Sequence, residues 1–405
     1  MRRFTAGPFA LAAATTACVG ATVGAERSAL PVNLTAGAAW AAAAFVAAFG
    51  IAKAVADLGA APSAERLGPR RTLLLGWLIA VPVPFLIAFT TESWQVVAAN
   101  VLLGVSQGLC WTTALVLQVD LAGPRRRGLA AGVNEFVGYA GVGAAAYVGA
   151  IAAGLLDTRR GPALVAAVAI SIGIAFSVRT TDFRRVPAGG PRGRSSPRPG
   201  RAVIYQAGFM NNANDALAWA FVPVLLVARG ADLGQVGAVT AVYPGAWALT
   251  QLAAGPLSDR VGRRALVVSG MLVQSLAIAS LAAGGEAVPL ALAWGIGTGM
   301  VYPSLVAAAA DTGKLVSAGR AIATYRFWRD AGIAGGALVG VILAGLAGLE
   351  TTLFAVAALT AASGLLALRL PPPSAADAEP RPIEESVGAP IGLGGVGPER
   401  EATLL

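Results

Sequence analysis

Histidine is absent from all 405 residues, and cysteine is limited to Cys18 and Cys110. Without imidazole, His-dependent triads, histidine zinc sites and imidazole proton relays are excluded together. Both cysteines lie inside apolar runs, so neither a disulfide framework nor a thiolate metal site is expected. A phosphate-binding Gly-x-x-x-x-Gly-Lys loop is missing too, because Gly313-Lys314 has Ala308 where the first glycine should stand. These gaps argue against an enzyme or an ATP-driven pump, and no cofactor or metal is expected. Charge is also scarce: 13% of residues are charged against 56% hydrophobic, and mean hydropathy is +0.69. That balance exceeds what a soluble core could hide, so the chain reads as an all-α polytopic membrane protein.

Apolar windows of about 20 residues, each long enough to cross a bilayer, fall at 7–26, 36–58, 72–90, 95–118, 129–155 and 161–178. Six more follow at 203–228, 234–256, 265–284, 288–310, 321–347 and 350–368. The expectation is twelve transmembrane helices in two pseudo-symmetric six-helix bundles, 1–178 and 203–370. They are joined by a Pro/Gly/Arg linker at 179–202 and followed by a disordered tail at 371–405. The first window has the outline of a signal peptide, but removing it would leave an odd helix count, so it is kept as a span.

Arginine gives the orientation. Arg2 and Arg3, the Arg66–Arg71 cluster, Arg125–Arg127, the seven arginines from Arg179 to Arg201, Arg260–Arg264, and Lys314 with Arg320 all fall on one side. The opposite loops hold Arg27, Arg159, Arg160 and Arg229. By the positive-inside rule both termini are cytoplasmic, in the cytoplasmic membrane of a cell. The net charge of +9 is thus a topology signal, and the expected partners are lipid, a small solute and protons, with no nucleic acid. A monomer is expected.

One decapeptide occurs twice. Gly255 to Arg264 reads Gly-Pro-Leu-Ser-Asp-Arg-Val-Gly-Arg-Arg, and Ala61 to Arg70 reads Ala-Pro-Ser-Ala-Glu-Arg-Leu-Gly-Pro-Arg. Pro62, Arg66, Gly68 and Arg70 thereby recur as Pro256, Arg260, Gly262 and Arg264, with Arg263 completing the second copy and Glu65 standing where Asp259 stands. A glycine permits the tight reversal between helices, and the acid suits the positive N-terminus of a helix in the other half. With twelve windows in two halves, this turn between the second and third helix of each half resembles the major facilitator superfamily over about residues 5–370. The resemblance implies secondary transport by alternating access, with the two turns latching the cytoplasmic side: Asp259 facing the helix that starts near Arg127, and Glu65 the one that starts near Arg320. The arginine and Gly-Pro signatures of the superfamily's drug/proton antiporters are not matched, since Asn100 stands four residues before Gly104 and the fifth window has no Gly-Pro.

Polar residues inside the windows are the candidate site, because an ionisable group in hydrocarbon is costly, about 2.5–3.5 kcal/mol for a centred Asp on insertion scales. The seventh window must begin near Ala202 to be long enough, which sinks Asp215 into the bilayer. Asn211 shares its face at i, i+4, with Asn212 and Trp219 flanking. Asp215 is the expected proton carrier, since no histidine is available. An interhelical hydrogen-bond cluster is the plainer alternative. In the eleventh window Arg326 and Asp330 are expected to neutralise each other, leaving Arg329 as a cavity cation for an anionic substrate group. Asn134 and Glu135 lie at equivalent depth in the fifth window. Gln107, Trp111, Tyr243, Gln251 and Tyr302 are candidate cavity wall. Lys53 and Asp57 are expected near the cytoplasmic end, with the lysine snorkelling. The resulting function is a proton-coupled secondary transporter, export favoured over uptake. The alternatives are a uniporter or an ion or anion carrier on the same scaffold, with Asp215 and the asparagines as cation ligands, and a non-transporting membrane receptor.

Overall fold

A computed structural model describes residues 6–27, 39–89, 93–157, 159–180, 200–312 and 318–371. Most of the expected linker and nearly all of the tail lie outside these residues. A helix occupies every one of the twelve apolar windows. In chain order they are α1 (Ala6–Arg27), α2 (Ala39–Leu67), α3 (Pro69–Ala80), α4 (Pro82–Phe89), α5 (Ser93–Ala122), α6 (Arg127–Leu155) and α7 (Arg160–Arg179). The second half holds α8 (Arg201–Ala220), α9 (Val222–Ala228), α10 (Leu233–Val261), α11 (Arg263–Ala282), α12 (Ala287–Thr312) and α13 (Ala318–Leu366).

At three places the windows depart from one straight helix each, every time for a local reason. Val81-Pro82 interrupts α3 and α4, and Phe221 separates α8 from α9 just before Pro223, where a ring on nitrogen removes a helix hydrogen bond. The eleventh and twelfth windows run together as α13, broken at Gly348 with φ 85° and ψ 166°, a left-handed conformation open to glycine. Among the described residues eight helical stretches are individually long and apolar enough to span a bilayer. The α8 and α10 segments fall short of that test because polar or charged residues lower their hydropathy.

The duplication in sequence is repeated in packing. In lipid, helices associate by close approach rather than by hydrophobic transfer, which favours glycine at crossings. Gly20 and Gly24 of α1 lie against the α6 backbone at Gly138 and Val142, while Gly332 and Gly336 of α13 lie against α8 at Phe209 and Ala213. Likewise Gly104 and Gly108 of α5 seat on α2, and Gly295 and Gly299 of α12 seat on α10. The two turns match as well: Gly68 has φ 90° and Gly262 φ 100°. Large apolar side chains such as Val55, Leu78, Phe85, Leu249 and Leu276 stay on the outside, the belt a bilayer would cover.

The halves meet along two seams, α2 against α13 and α6 against α10. At the arginine-rich end of the second seam, Gly128 and Gly255 bring backbones together so closely that a Cβ on Gly255 would lie 2.4 Å from the Gly128 carbonyl oxygen. Deeper along that seam, the rings of Tyr139 and Trp247 stand 4.0 Å apart.

Candidate functional site

Asn212 and Asp215 leave the same face of α8, three residues apart, and meet Tyr243 of α10 and Tyr302 of α12. The Tyr243 hydroxyl donates to Asp215 Oδ1. The Tyr302 hydroxyl reaches both Asn212 Oδ1 and, at 2.9 Å, Asp215 Oδ2. Asp215 is 4% exposed, and its hydrogen-bond partners are two neutral hydroxyls.

Beside it, six charged side chains form a buried chain across the two halves. Lys53 of α2 pairs with Asp330 of α13 and lies 3.8 Å from Asp57. Asp57 accepts from Thr112 at 2.5 Å and lies 3.7 Å from Arg326 Nε. Arg326 Nη1 donates to Glu135 of α6 at 2.9 Å, and Arg329 approaches the same carboxylate at 3.3 Å and Asp330 at 3.6 Å. Asn212 joins the chain to the Asp215 site, giving its Nδ2 hydrogen to Asp330 at 3.2 Å and accepting from Arg329 Nε at 3.4 Å. Two rings lie against the guanidinium groups: Tyr302, its centroid 3.9 Å from Arg329, and Trp111, 5.7 Å from Arg326. Burial of so many ions is tolerable only because each has opposite charges and hydrogen bonds around it.

Several expectations change here. Lys53 does not snorkel: it is 6% exposed and Asp57 0%. The reason is helix length, since α2 runs on to Leu67, nine residues past the expected end at 58, or about 14 Å at 1.5 Å per residue. Arg326 and Asp330 do not neutralise each other, because they diverge to Glu135 and Lys53. Arg329 is not left over as a cation; Glu135 and Asp330 hold it. Glu135 does meet the arginines of α13. Asn211 turns away from Asp215 and accepts from Gln274 at 2.8 Å, while Gln274 Oε1 accepts from Asn214 and Asn214 Oδ1 from Thr360. That cluster ties α8 to α11 and α13 inside one bundle, so the plainer reading holds for Asn211. Asn134 and Trp111 are likewise spent on each other, Trp111 Nε1 donating to Asn134 Oδ1 at 2.8 Å and Asn134 Nδ2 to Thr16 at 2.9 Å. Gln107 ties α5 to α1 through the Val19 carbonyl and Thr22. Gln251 is fully buried with neither amide atom paired. Trp219, 45% exposed, stands edge-on to Tyr243.

At the arginine-rich end, Asp259 accepts from the backbone N–H groups of Gly128 and Leu129, both at 3.1 Å, at the first turn of α6. Arg263 pairs with it at 2.5 Å, and Asp311 bridges Arg263 and Arg127. Glu65 takes a different partner, the guanidinium of Arg320, at 2.9 Å from Nε and 2.5 Å from Nη2. Arg66 and Arg260 are exposed; Arg70 and Arg264 are half-buried.

The sequence profile of the Major Facilitator Superfamily matches residues 9–207 and 204–393. The chain belongs to the Major Facilitator Superfamily. It is therefore a multi-pass membrane protein and a secondary transporter of a small molecule. No curated protein sequence matches it. Among solved structures it is similar to the human organic anion transporter MFSD10 (TETRAN), at 18% identity and TM-score 0.73 over 89% of this chain and 98% of that one. It is similar also to the E. coli fucose:proton symporter FucP, at 14% identity and TM-score 0.74 over 91% and 99%. A third is the proton:xylose symporter XylE bound to 6-bromo-6-deoxy-D-glucose, at 12% identity and TM-score 0.70 over 90% and 95%. Identities this low speak to the superfamily fold alone. Within that fold, the glycine turns after α2 and α10 are equivalent loops of the two halves, and the buried ions lie where the halves touch. Sequence reading missed Lys53, Asp57 and Thr112 as parts of this cluster; the i, i+4 pairing of opposite charges inside an apolar helix was the available signal.

Proposed function

We propose that the protein couples solute movement to protons through Asp215, with the arginine-rich end in the cytoplasm. The observation that carries this is the charge count of the buried cluster. Lys53, Arg326 and Arg329 supply three positive charges; Asp57, Glu135, Asp330 and Asp215 supply four negative ones, so the sum is −1 with every group ionised and 0 with one proton added. Asp215 is the place for that proton, because it alone of the four carboxylates has only neutral hydroxyls for partners. Tyr302 adds a second argument: its hydroxyl carries one hydrogen but touches two acceptors. Asn212 is oriented by Asp330 and Arg329, so when Tyr302 donates to Asn212 Oδ1 the remaining contact is filled by a proton on Asp215. The proton-symporter neighbours fit this reading. A cation-carrier site loses Asn211 and Asn214 to Gln274 and Thr360, which leaves Asp215 short of ligands.

Alternating access follows from the same charge count. Protonated, the cluster is balanced and the seams at the cytoplasmic end stay closed; deprotonation leaves one unbalanced charge in a low-dielectric interior, which favours parting the halves. The test uses spin labels at Arg125→Cys and Val261→Cys, one in each half and both exposed. Raising pH should lengthen the distance in wild type and not in Asp215→Asn, which should stay short. In proteoliposomes the same variant should lose pH-gradient-driven accumulation and slow solute exchange, because its cytoplasmic end stays closed. A pH response in Asp215→Asn equal to wild type would remove Asp215 from the mechanism.

A further inference from the structure

Trp247, Gln251 and Gly255 stand at intervals of four residues on α10 and so share one face. Each lies against α6. The Trp247 ring is 4.0 Å from that of Tyr139, the Gln251 carbonyl oxygen is 2.4 Å from where a Cβ on Gly132 would stand, and Gly255 meets Gly128. This face is therefore the second half's surface in the α6/α10 seam. Gln251 sits between the latched rim and the ring contact. It is fully buried, and among the described residues neither atom of its amide has a hydrogen-bond partner. Trp247 Nε1, on a side chain 1% exposed, has none either.

The other seam answers the same positions differently. The register that carries Pro62 onto Pro256 also carries Lys53 onto Trp247 and Asp57 onto Gln251. In α2 those two positions hold ions that meet Asp330 and Arg326 of the opposite half. In α10 they hold an indole and an amide whose polar atoms find no match across the seam. A buried donor or acceptor left unpaired disfavours the state that buries it by a factor of about 5 to 150, while an apolar group of the same shape carries no such penalty.

We propose that Gln251 is a working residue of the transport cycle: its unmatched amide weakens the closed α6/α10 seam and keeps the arginine-rich end able to open against the Asp259 latch. When the halves part there, the amide is uncovered and water supplies the bonds that α6 does not. The penalty thus falls on the closed state alone. Trp247 Nε1 adds to the same bias, but its ring also makes the Tyr139 contact. Gln251 is therefore the position where the penalty can be removed without loss of packing. The proposal goes beyond the proton-coupling reading and does not rest on it.

Gln251→Met tests this, since it keeps the length of the side chain and removes both polar atoms. Spin labels at Arg125→Cys and Val261→Cys, in protein held in nanodiscs, read the closed and open populations. Where the open fraction is too small for the labels, alkylation of Ser258→Cys by N-ethylmaleimide reads it, with Cys18 and Cys110 replaced by alanine. Ser258 is 1% exposed and lies under α6, its oxygen 2.6 Å from where a Cβ on Gly128 would stand. Gln251→Met should lower the open fraction at least about fivefold, the low end for one unpaired group. Gln251→Leu should lower it as well, which keeps the test intact if the Met variant does not fold. Gln251→Asn retains an unmatched amide and should stay within about twofold of wild type or open further. Gln274→Met removes a buried amide that is paired inside one bundle, and should not lower the open fraction. The proposal is overturned if Gln251→Met and Gln251→Leu open as readily as wild type, or if Gln251→Asn closes the seam as much as Gln251→Met does. The factor between Gln251→Met and wild type should be the same below and above neutral pH. That factor without any pH response would remove Asp215 from the mechanism and leave Gln251 in it; a pH response without the factor would do the reverse.

Discussion

Asp259 and Glu65 occupy equivalent positions in the two turns, yet they close the same end of the molecule in different ways. Asp259 is 11% exposed, takes two backbone N–H groups at the start of α6 and pairs with Arg263. Among the described residues Glu65 takes Arg320 alone, whose side chain is 63% exposed. The seams invert this order deeper in. Below Glu65, α2 and α13 are joined by the buried Lys53–Asp330 pair, whereas below Asp259, α6 and α10 are joined by the Tyr139–Trp247 contact between uncharged rings. One seam is strong at the rim and the other at mid-membrane. On the proposed coupling through Asp215, opening at the weak rim of α2 and α13 would follow disturbance of the charge cluster beneath it.

The largest break in this comparison should come from Lys53. Replacing it by Met leaves Asp57 and Asp330 buried with one cation fewer, and removing one partner of a buried pair costs about 3–5 kcal/mol. The expected outcome is loss of the closed α2/α13 seam, by about a hundredfold or more in population, read from spin labels at the exposed positions Leu67→Cys and Trp328→Cys. Adding Asp330→Asn should restore much of the closed state, because the orphaned charge is then gone. A seam that stays closed in Lys53→Met alone would show that the pair does not hold it.

How much of this was legible in the sequence depends on whether local rules decide the feature. The helices could be read because spanning hydrocarbon needs about 20 largely apolar residues wherever they occur, and most of the twelve windows carry them. The meeting of Asp259 with the start of α6 was implied by the resemblance of the duplicated turn to the superfamily, and not by any spacing within this chain, since the two partners stand in different halves. Lys53 could not be placed, since the apolar window ended at 58 while the helix continued through Pro62 to Leu67 with polar residues already in its last turns. Asn211 was misassigned for another reason: a helical face names its own residues but not the neighbour they meet, and here that neighbour is Gln274. The cluster draws Lys53, Asp57 and Glu135 from the first half and Arg326, Arg329 and Asp330 from the second, a joint that the motifs of neither half name by themselves.

A smaller effect is expected at the strong rim. Asp259→Asn keeps an acceptor for one N–H but loses the charge that favours a helix N-terminus, about 1–2 kcal/mol in a partly buried setting. The closed population of the α6/α10 seam should fall about five- to thirtyfold, measured with labels at Arg125→Cys and Val261→Cys, while the protein stays folded and transport slows. If Asp259→Asn and wild type close equally, the two rims do not differ as argued.

The weak rim should give the smallest change and a distinctive salt dependence. An exposed ion pair contributes about 0–1 kcal/mol, and charges in water are screened over about 10 Å at 0.1 M salt and 3 Å at 1 M. Raising salt should therefore loosen the α2/α13 rim in wild type by no more than about fivefold, and Glu65→Gln should already sit at that high-salt value and respond no further. The α6/α10 rim should move little over the same range, because Asp259 is largely shielded and its partners are backbone groups fixed by α6. Equal salt responses at the two rims would mean that Arg320 and Arg263 hold their acids in the same way, and the asymmetry between the two turns would then be one of sequence without mechanical consequence.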